Sequence, residues 1–164
     1  MKRKNYFPLY LIIFIGFSSS AQSSDLEKSR GKNMESLTYL IGHWEGKMVA
    51  HTTGDTLAVK KDVTLLNDTT IQISTKVNGP HGGAAQISEI ISFNKGSNQY
   101  DVTVHGNEGQ VNTSTLEITD GHSIEFTLGP SKSVIKVQND QWTQVIERTD
   151  GSMKVIEAHL ERKK

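Results

Sequence analysis

From Trp44 to the C-terminus, apolar and polar residues alternate with a period of two, and short polar breaks interrupt the alternation. Alternation of this kind is typical of β-strands that bury one face. The breaks are rich in glycine, asparagine and aspartate, as in Asp120-Gly121 and Asp150-Gly151, and these residues favour tight hairpin turns. The pattern predicts strands at about 43–51, 56–66, 69–78, 84–94, 99–105, 110–118, 122–129, 133–138, 141–149 and 152–162.

Ten short strands in series predict an all-β, antiparallel meander. A sheet of this kind has to protect its edges, and closure into a barrel removes them. The main alternative is a two-sheet sandwich, but its Greek-key crossings need some long connections, and nearly every predicted link here has two to five residues. We therefore predict an up-and-down barrel of about ten strands. Leu37, Leu40 and Ile41 have helical spacing, which predicts a short helical turn before the first strand.

The first 21 residues have the features of a secretory signal peptide. Residues 2–4 are basic, Leu9–Phe17 is apolar, and small residues follow up to Ala21. The unbroken apolar run has nine residues, whereas a membrane-spanning helix needs about 20. We predict cleavage after Ala21 and an exported product, periplasmic or secreted, with no membrane span. The predicted organisation is a signal peptide at 1–21, a flexible leader at 22–34 and a lipocalin-like barrel domain at 35–164.

Composition narrows the range of partners. Without residues 1–21, which hold three of the 18 lysines and arginines, the chain carries 15 basic and 18 acidic residues, a net charge of −3. This charge provides no basic surface for nucleic acid, so none is expected as a partner. The chain has no cysteine, which excludes disulfides and a lipid-modified cysteine at the cleavage site. Stability must therefore come from the barrel core.

Side chains in a barrel alternate between the lumen and the outside, so the apolar positions of each strand identify its inner face. On the first strand, Trp44 belongs to the apolar, inward set and His43 to the polar, outward set. A metal or haem role for His43 is therefore not expected. The strand at 110–118 is inconsistent, because Val111 has the opposite parity to the apolar residues that follow it. A bulge near Ser114 would reconcile the two halves.

A few polar residues share the inward parity. A buried charge is costly unless it is paired, so Glu89 could form a structural ion pair with Lys61 or Arg148, or these groups could lie at a wet mouth. The functional interpretation is that they orient the polar head of a ligand in an apolar cavity. Arg148 is the best candidate for an anionic head, because a guanidinium can hold a carboxylate with two hydrogen bonds. The predicted ligand-binding residues are Lys61, Glu89, Tyr100, Phe126, Trp142, Gln144 and Arg148.

The string Leu40–Gly46, which contains Gly42-His43-Trp44, is followed by a ten-strand meander and a late arginine, Arg162. Together these features resemble the calycin superfamily of lipocalins and fatty-acid-binding proteins. With the exported context and the closing Leu160-Glu161-Arg162-Lys163, this string is most similar to lipocalin-like bacterial families of unknown function. The resemblance covers about residues 35–164. It implies a structural floor in which Trp44 plugs the barrel, Arg162 packs across the indole, and Gly42 leaves room for both.

The last strand departs from two relatives within that superfamily. Fatty-acid-binding proteins carry an Arg-x-Tyr pair there to hold a carboxylate, whereas here Lys163 and Lys164 follow Arg162. Haem-binding nitrobindins use a histidine on the final strand, and His159 is the residue that invites this comparison. However, His159 has the opposite parity to Arg162, so we expect it to face solvent. No cofactor or metal is therefore predicted, and haem stays an alternative.

The sequence has no cysteine nucleophile, no Gly-x-Ser-x-Gly motif and no phosphate-binding glycine loop, so no enzymatic activity is expected. The function that best fits is an exported barrel that binds a small hydrophobic or amphipathic molecule in its lumen. Two alternatives remain open. One is a barrel that binds haem or a nitrogen oxide, and the other is a solid-cored module that recognises another exported protein.

Overall fold

All ten predicted strands are present in the structure, a computed structural model that describes residues 34–79, 83–107 and 109–164. Every strand end lies within two residues of its predicted position. A 3₁₀-helix (Met34–Leu40) comes before the strands. The strands are β1 (Gly42–Ala50), β2 (Asp55–Asn67), β3 (Thr70–Asn78), β4 (Ala84–Asn94), β5 (Gln99–His105), β6 (Val111–Ile118), β7 (Ser123–Leu128), β8 (Ser131–Gln138), β9 (Gln141–Arg148) and β10 (Lys154–Lys163). The predicted signal peptide and residues 22–33 of the leader lie outside the described residues.

Each strand pairs in antiparallel fashion with its neighbours in sequence, and β1 pairs with β10 to close the barrel. The predicted up-and-down barrel is therefore confirmed. At the closing seam, Trp44 of β1 lies opposite Arg162 of β10, and Gly46 lies opposite Leu160. No helix in the described part of the chain has the length and apolar character that crossing a membrane would require.

Strand β6 differs from its prediction. The register between β5 and β6 runs without a shift from the pair Tyr100–Leu116 to the pair His105–Val111, so the bulge predicted near Ser114 is wrong. Leu116 is buried in the core, whereas Val111 is 57% exposed on the outer face. Val111 is a single apolar residue on the surface, which is common in soluble proteins. Its parity therefore carried no information about the inner face.

The 3₁₀-helix covers one end of the barrel, which we call the floor. Met34, Leu37 and Leu40 are buried in the same core cluster as Trp44. The indole Nε1 of Trp44 donates a hydrogen bond to the Leu40 carbonyl oxygen at 2.9 Å, which ties the helix to β1. The β1–β2, β3–β4, β5–β6, β7–β8 and β9–β10 connections lie at the opposite end, which we call the mouth.

Two tyrosines near the floor have perturbed ionisation. Burial raises the pKa of Tyr39 above its usual value, and the negative charge of Asp120 raises it further. Burial also raises the pKa of Tyr100, and this effect outweighs a hydrogen bond with Ser36 that lowers it. Both phenols therefore favour the neutral form in the folded protein.

This shift predicts a delayed alkaline titration. Tyr39 and Tyr100 are the only tyrosines after residue 21, so the tyrosinate absorbance of a chain that begins at residue 22 reports on them alone. We expect little tyrosinate at pH about 10, where a free tyrosine is half ionised. Because these pKa values are raised on folding, their contribution to stability is complete below pH about 10 and is lost as the pH rises further. The chain unfolded in guanidinium should titrate normally. A normal titration of the folded chain would contradict the floor packing.

Candidate functional site

Branched aliphatic side chains form most of the inner wall of the barrel. Nine of them on the strands are 2% exposed or less: Val59, Val63, Ile71, Ile73, Ile91, Val102, Ile124, Ile135 and Leu160. The aromatic residues predicted to line the lumen, Tyr100, Phe126 and Trp142, are also buried. The lumen is therefore an apolar environment in which each polar group needs a specific partner.

Lys61 crosses this interior. Its side chain is buried, and its Nζ donates a hydrogen bond to the Thr75 hydroxyl at 3.0 Å. The same Nζ lies 5.2 Å from the ring centroid of Trp142 on β9, although β1 and β10 separate β2 from β9 around the wall. The Trp142 ring in turn packs against the Trp44 ring, with 5.5 Å between centroids. The lysine ammonium therefore sits above the tryptophan floor, inside the barrel.

Glu89 is the second charged group of the interior. It is 7% exposed and lies between Ile73 on β3 and Val104 on β5. Its Oε2 atom is buried and has no hydrogen-bond partner among the residues that the structure describes. The sequence allowed an ion pair with Lys61 or Arg148, but the described ranges contain no such pair. Of the possibilities that the sequence left open, the structure therefore does not contain the ion pair: the lysine extends toward Trp142 and bonds to Thr75 instead.

The opposite wall contributes a neutral polar pair. Gln144 of β9 and Ser133 of β8 are 6% and 4% exposed, and the amide Nε2 of Gln144 donates to the Ser133 hydroxyl at 3.1 Å. Ser133 was not predicted as a site residue. The signal was present, however, because Ile135 and Val137 on β8 are inward and Ser133 shares their parity.

Trp142 leaves a second polar atom without a partner. The residue is fully buried, and its Nε1 finds no acceptor within the described part of the chain. Buried indole N–H groups normally find a hydrogen-bond partner. No sequence pattern could reveal this orphan donor, since it depends on which acceptors the fold places near the ring.

Arg148 is not part of this interior group. It is the last residue of β9, its side chain is 48% exposed, and its Nε lies 3.7 Å from the Asp150 carboxylate. Arg148 was expected to hold an anionic head inside the lumen, and its exposed position at the end of β9 contradicts that expectation. Inward parity does not bury a side chain where the strand ends at the mouth.

Trp44, Arg162 and Gly42 lie together at the floor of the barrel. The Arg162 guanidinium carbon is 4.1 Å from the Trp44 ring centroid, and its Nε donates to Asp140 at 2.7 Å. Its two terminal nitrogens donate to the carbonyl oxygens of Tyr39 and Ile41. A β-carbon on Gly42 would lie 2.6 Å from an Arg162 nitrogen, so glycine makes this approach possible. Each of the three guanidinium nitrogens of Arg162 therefore donates a hydrogen bond to the structure of the floor.

The two histidines considered for metal or haem lie on the outer surface. The His43 side chain is 72% exposed and pairs with Asp62. The His159 side chain is 64% exposed and lies 3.3 Å from Glu157. Nowhere in the described ranges do three His, Cys, Asp or Glu side chains come together in a way that could hold a metal ion.

No protein-family model and no curated protein matches this sequence. Solved structures do match, among them these two. A de novo designed fluorescence-activating β-barrel is 16% identical, with a TM-score of 0.41 over 77% of this chain and 95% of that one. The crystal structure of Rv2717c from M. tuberculosis is 12% identical, with a TM-score of 0.59 over 80% of this chain and 97% of that one. The likeness to Rv2717c shows the fold alone, a closed antiparallel β-barrel.

Proposed function

We propose that this chain is an exported, calycin-like barrel without enzymatic activity that binds a small, mostly apolar molecule in its lumen. One observation carries the proposal. Two polar atoms inside an apolar lumen, Glu89 Oε2 and Trp142 Nε1, are buried and have no partner in the described part of the protein. The export component rests on residues 1–21, and the calycin component rests on strand order and the Trp44–Arg162 floor.

Orphan polar atoms of this kind are rare in native proteins. Leaving one buried and unpaired costs about 1–3 kcal/mol, so each needs an explanation. Lumen-binding proteins commonly combine an apolar wall with a few polar groups that fix the orientation of the ligand. The aliphatic wall and the two orphan atoms fit that combination. A bound molecule with a polar head would supply the missing partners.

Saturable binding of Nile red, a neutral hydrophobic dye, tests the proposal. We expect one dye per native chain, detected as a rise in its fluorescence. Ile91→Trp, which places a large side chain in the lumen, should weaken binding about tenfold or more, corresponding to about 1.4 kcal/mol. The matched control is Val111→Trp on the outer face, which should bind normally. If Ile91→Trp misfolds by circular dichroism, Val59→Phe replaces it.

Native mass spectrometry of the protein purified from its own host provides an independent readout. A reproducible mass increment that denaturation removes would identify the bound molecule. An empty barrel together with no saturable dye binding would contradict the proposal and favour a solid-cored interaction module. Equal loss of binding in Val111→Trp would place the dye outside the lumen. Haem is not part of the proposal, since His159 lies on the outer surface.

A further inference from the structure

We infer that the lumen selects a ligand whose head is uncharged and both donates and accepts hydrogen bonds, such as an alcohol or a primary amide. This inference rests on the proposed function and deepens it. It excludes a fatty-acid carboxylate as the preferred head. The argument depends on the charges and the hydrogen-bonding capacity of three lumen residues, Lys61, Glu89 and Trp142.

The charges of the interior balance. Among the buried residues that the structure describes, only Lys61 and Glu89 carry formal charge, and their signs are opposite. They do not form an ion pair with each other, since Lys61 bonds to Thr75. Two other candidates for charge are removed by geometry. The Arg162 guanidinium packs on the Trp44 ring at the floor and donates to Asp140. Arg148 lies at the mouth, where its Nε is 3.7 Å from the Asp150 carboxylate.

A charged head meets one unfavourable neighbour in such a lumen. An anion attracted to Lys61 is repelled by Glu89. The two residues lie on either side of β3, because Lys61 on β2 is opposite Thr75 and Glu89 on β4 is diagonal to Thr75. An ammonium group meets the reverse situation. Because water is excluded, the repulsion is as strong as the attraction. The lumen therefore does not compensate either ion for its lost hydration. A neutral head avoids both penalties.

The orphan atoms define what the neutral head must offer. The indole N–H of Trp142 is a donor only, so it requires an acceptor. An ionised Glu89 carboxylate accepts only, so its free Oε2 requires a donor. The Lys61 ammonium, 5.2 Å from the Trp142 ring centroid, is a further hydrogen-bond donor near the indole. A hydroxyl or an amide offers both a donor and an acceptor, whereas a carboxylate offers acceptors only.

Competition among amphiphiles with the same tail tests the inference. Nile red bound to the native protein is displaced at neutral pH by dodecanol, dodecanoate or dodecylammonium. We expect dodecanol to displace the dye at a concentration about tenfold lower than either ion. Because the tail is constant, any difference among the three reports on the head group.

Two lumen variants should change this order in opposite directions. Glu89→Gln leaves Lys61 as the single charge, so dodecanoate should gain about tenfold and become a better competitor than dodecylammonium. Lys61→Gln leaves Glu89, so dodecylammonium should gain instead. The matched control is Glu117→Gln, which removes the same charge from the exposed outer face of β6 and should leave the order unchanged.

The outcomes separate this inference from the proposed function. If Nile red does not bind, or none of the amphiphiles displaces it, lumen binding itself fails. If the dye binds and dodecanoate is the best competitor of the native protein, the inference is overturned while lumen binding stands. The same conclusion follows if neither lumen variant changes the order. Circular dichroism shows whether each variant is folded. If one variant does not fold, the other still tests the inference, since each has its own expected shift.

Discussion

Replacing Trp44 by alanine should lower the free energy of unfolding by about 4 kcal/mol, the largest loss expected from a single side chain here. Trp44 is fully buried at the floor. Its ring contacts the Arg162 guanidinium and the Trp142 ring, which lie 4.1 and 5.5 Å from its centroid. Alanine removes both contacts, and we expect it to leave a cavity at the floor.

The substitution also releases the 3₁₀-helix. The hydrogen bond from Trp44 Nε1 to the carbonyl oxygen of the buried Leu40 is lost. Trp44→Phe separates the two effects, because it keeps an aromatic ring at the floor and removes only the polar atom and part of the volume. We expect that variant to lose about 1–2 kcal/mol.

Urea unfolding monitored by circular dichroism measures both losses. In Trp44→Ala, Trp142 is the single remaining tryptophan, so its fluorescence gives a second probe of the floor. Val111→Ala is the control, because Val111 is 57% exposed and its truncation should change stability by less than about 0.5 kcal/mol. A loss below about 1 kcal/mol in Trp44→Ala would contradict the plug role of the indole.

The strands could be predicted closely because the information in a meander is local. Each strand pairs with its neighbours in sequence, so alternation together with turn residues determines both the strand limits and the order. The floor could be predicted because Trp44 and Arg162 share the inward parity and carry the family resemblance. The structure adds the partners that parity does not contain, such as the Tyr39 and Ile41 carbonyl oxygens.

The candidate site was less predictable, because parity gives a direction and not a distance. Lys61 and Glu89 were correctly expected to be inward, yet the length of the lysine carries its ammonium to Trp142 and away from the carboxylate. Arg148 has the same inward parity, but the end of β9 leaves it exposed. Val111 shows that an apolar side chain can also lie on the outer face, where it is exposed. These outcomes depend on reach and position along the barrel axis, which only three-dimensional coordinates supply.

Substituting alanine for Gly46 should weaken the closing seam of the barrel. Gly46 lies opposite Leu160 on the neighbouring strand β10. A β-carbon at this position would collide with the backbone carbonyl oxygen of His159 and would lie 2.8 Å from the Leu160 α-carbon. Because both obstacles are backbone atoms, no side-chain rotation relieves the clash. We expect a loss of about 3 kcal/mol, at the upper end of the usual cost of overpacking.

Gly83→Ala is the matched control for the same added methyl group. Its position is open, with no heavy atom of the described residues within 4 Å of the new β-carbon and no left-handed backbone requirement. Alanine there should be neutral or stabilise by about 0.4–1 kcal/mol, because it restricts the unfolded chain. Hydrogen exchange locates the damage: amides of β1 and β10 should exchange faster in Gly46→Ala, while β5 and β6 stay protected. Equal stability of the two alanine variants would contradict the close approach of the β10 backbone to Gly46.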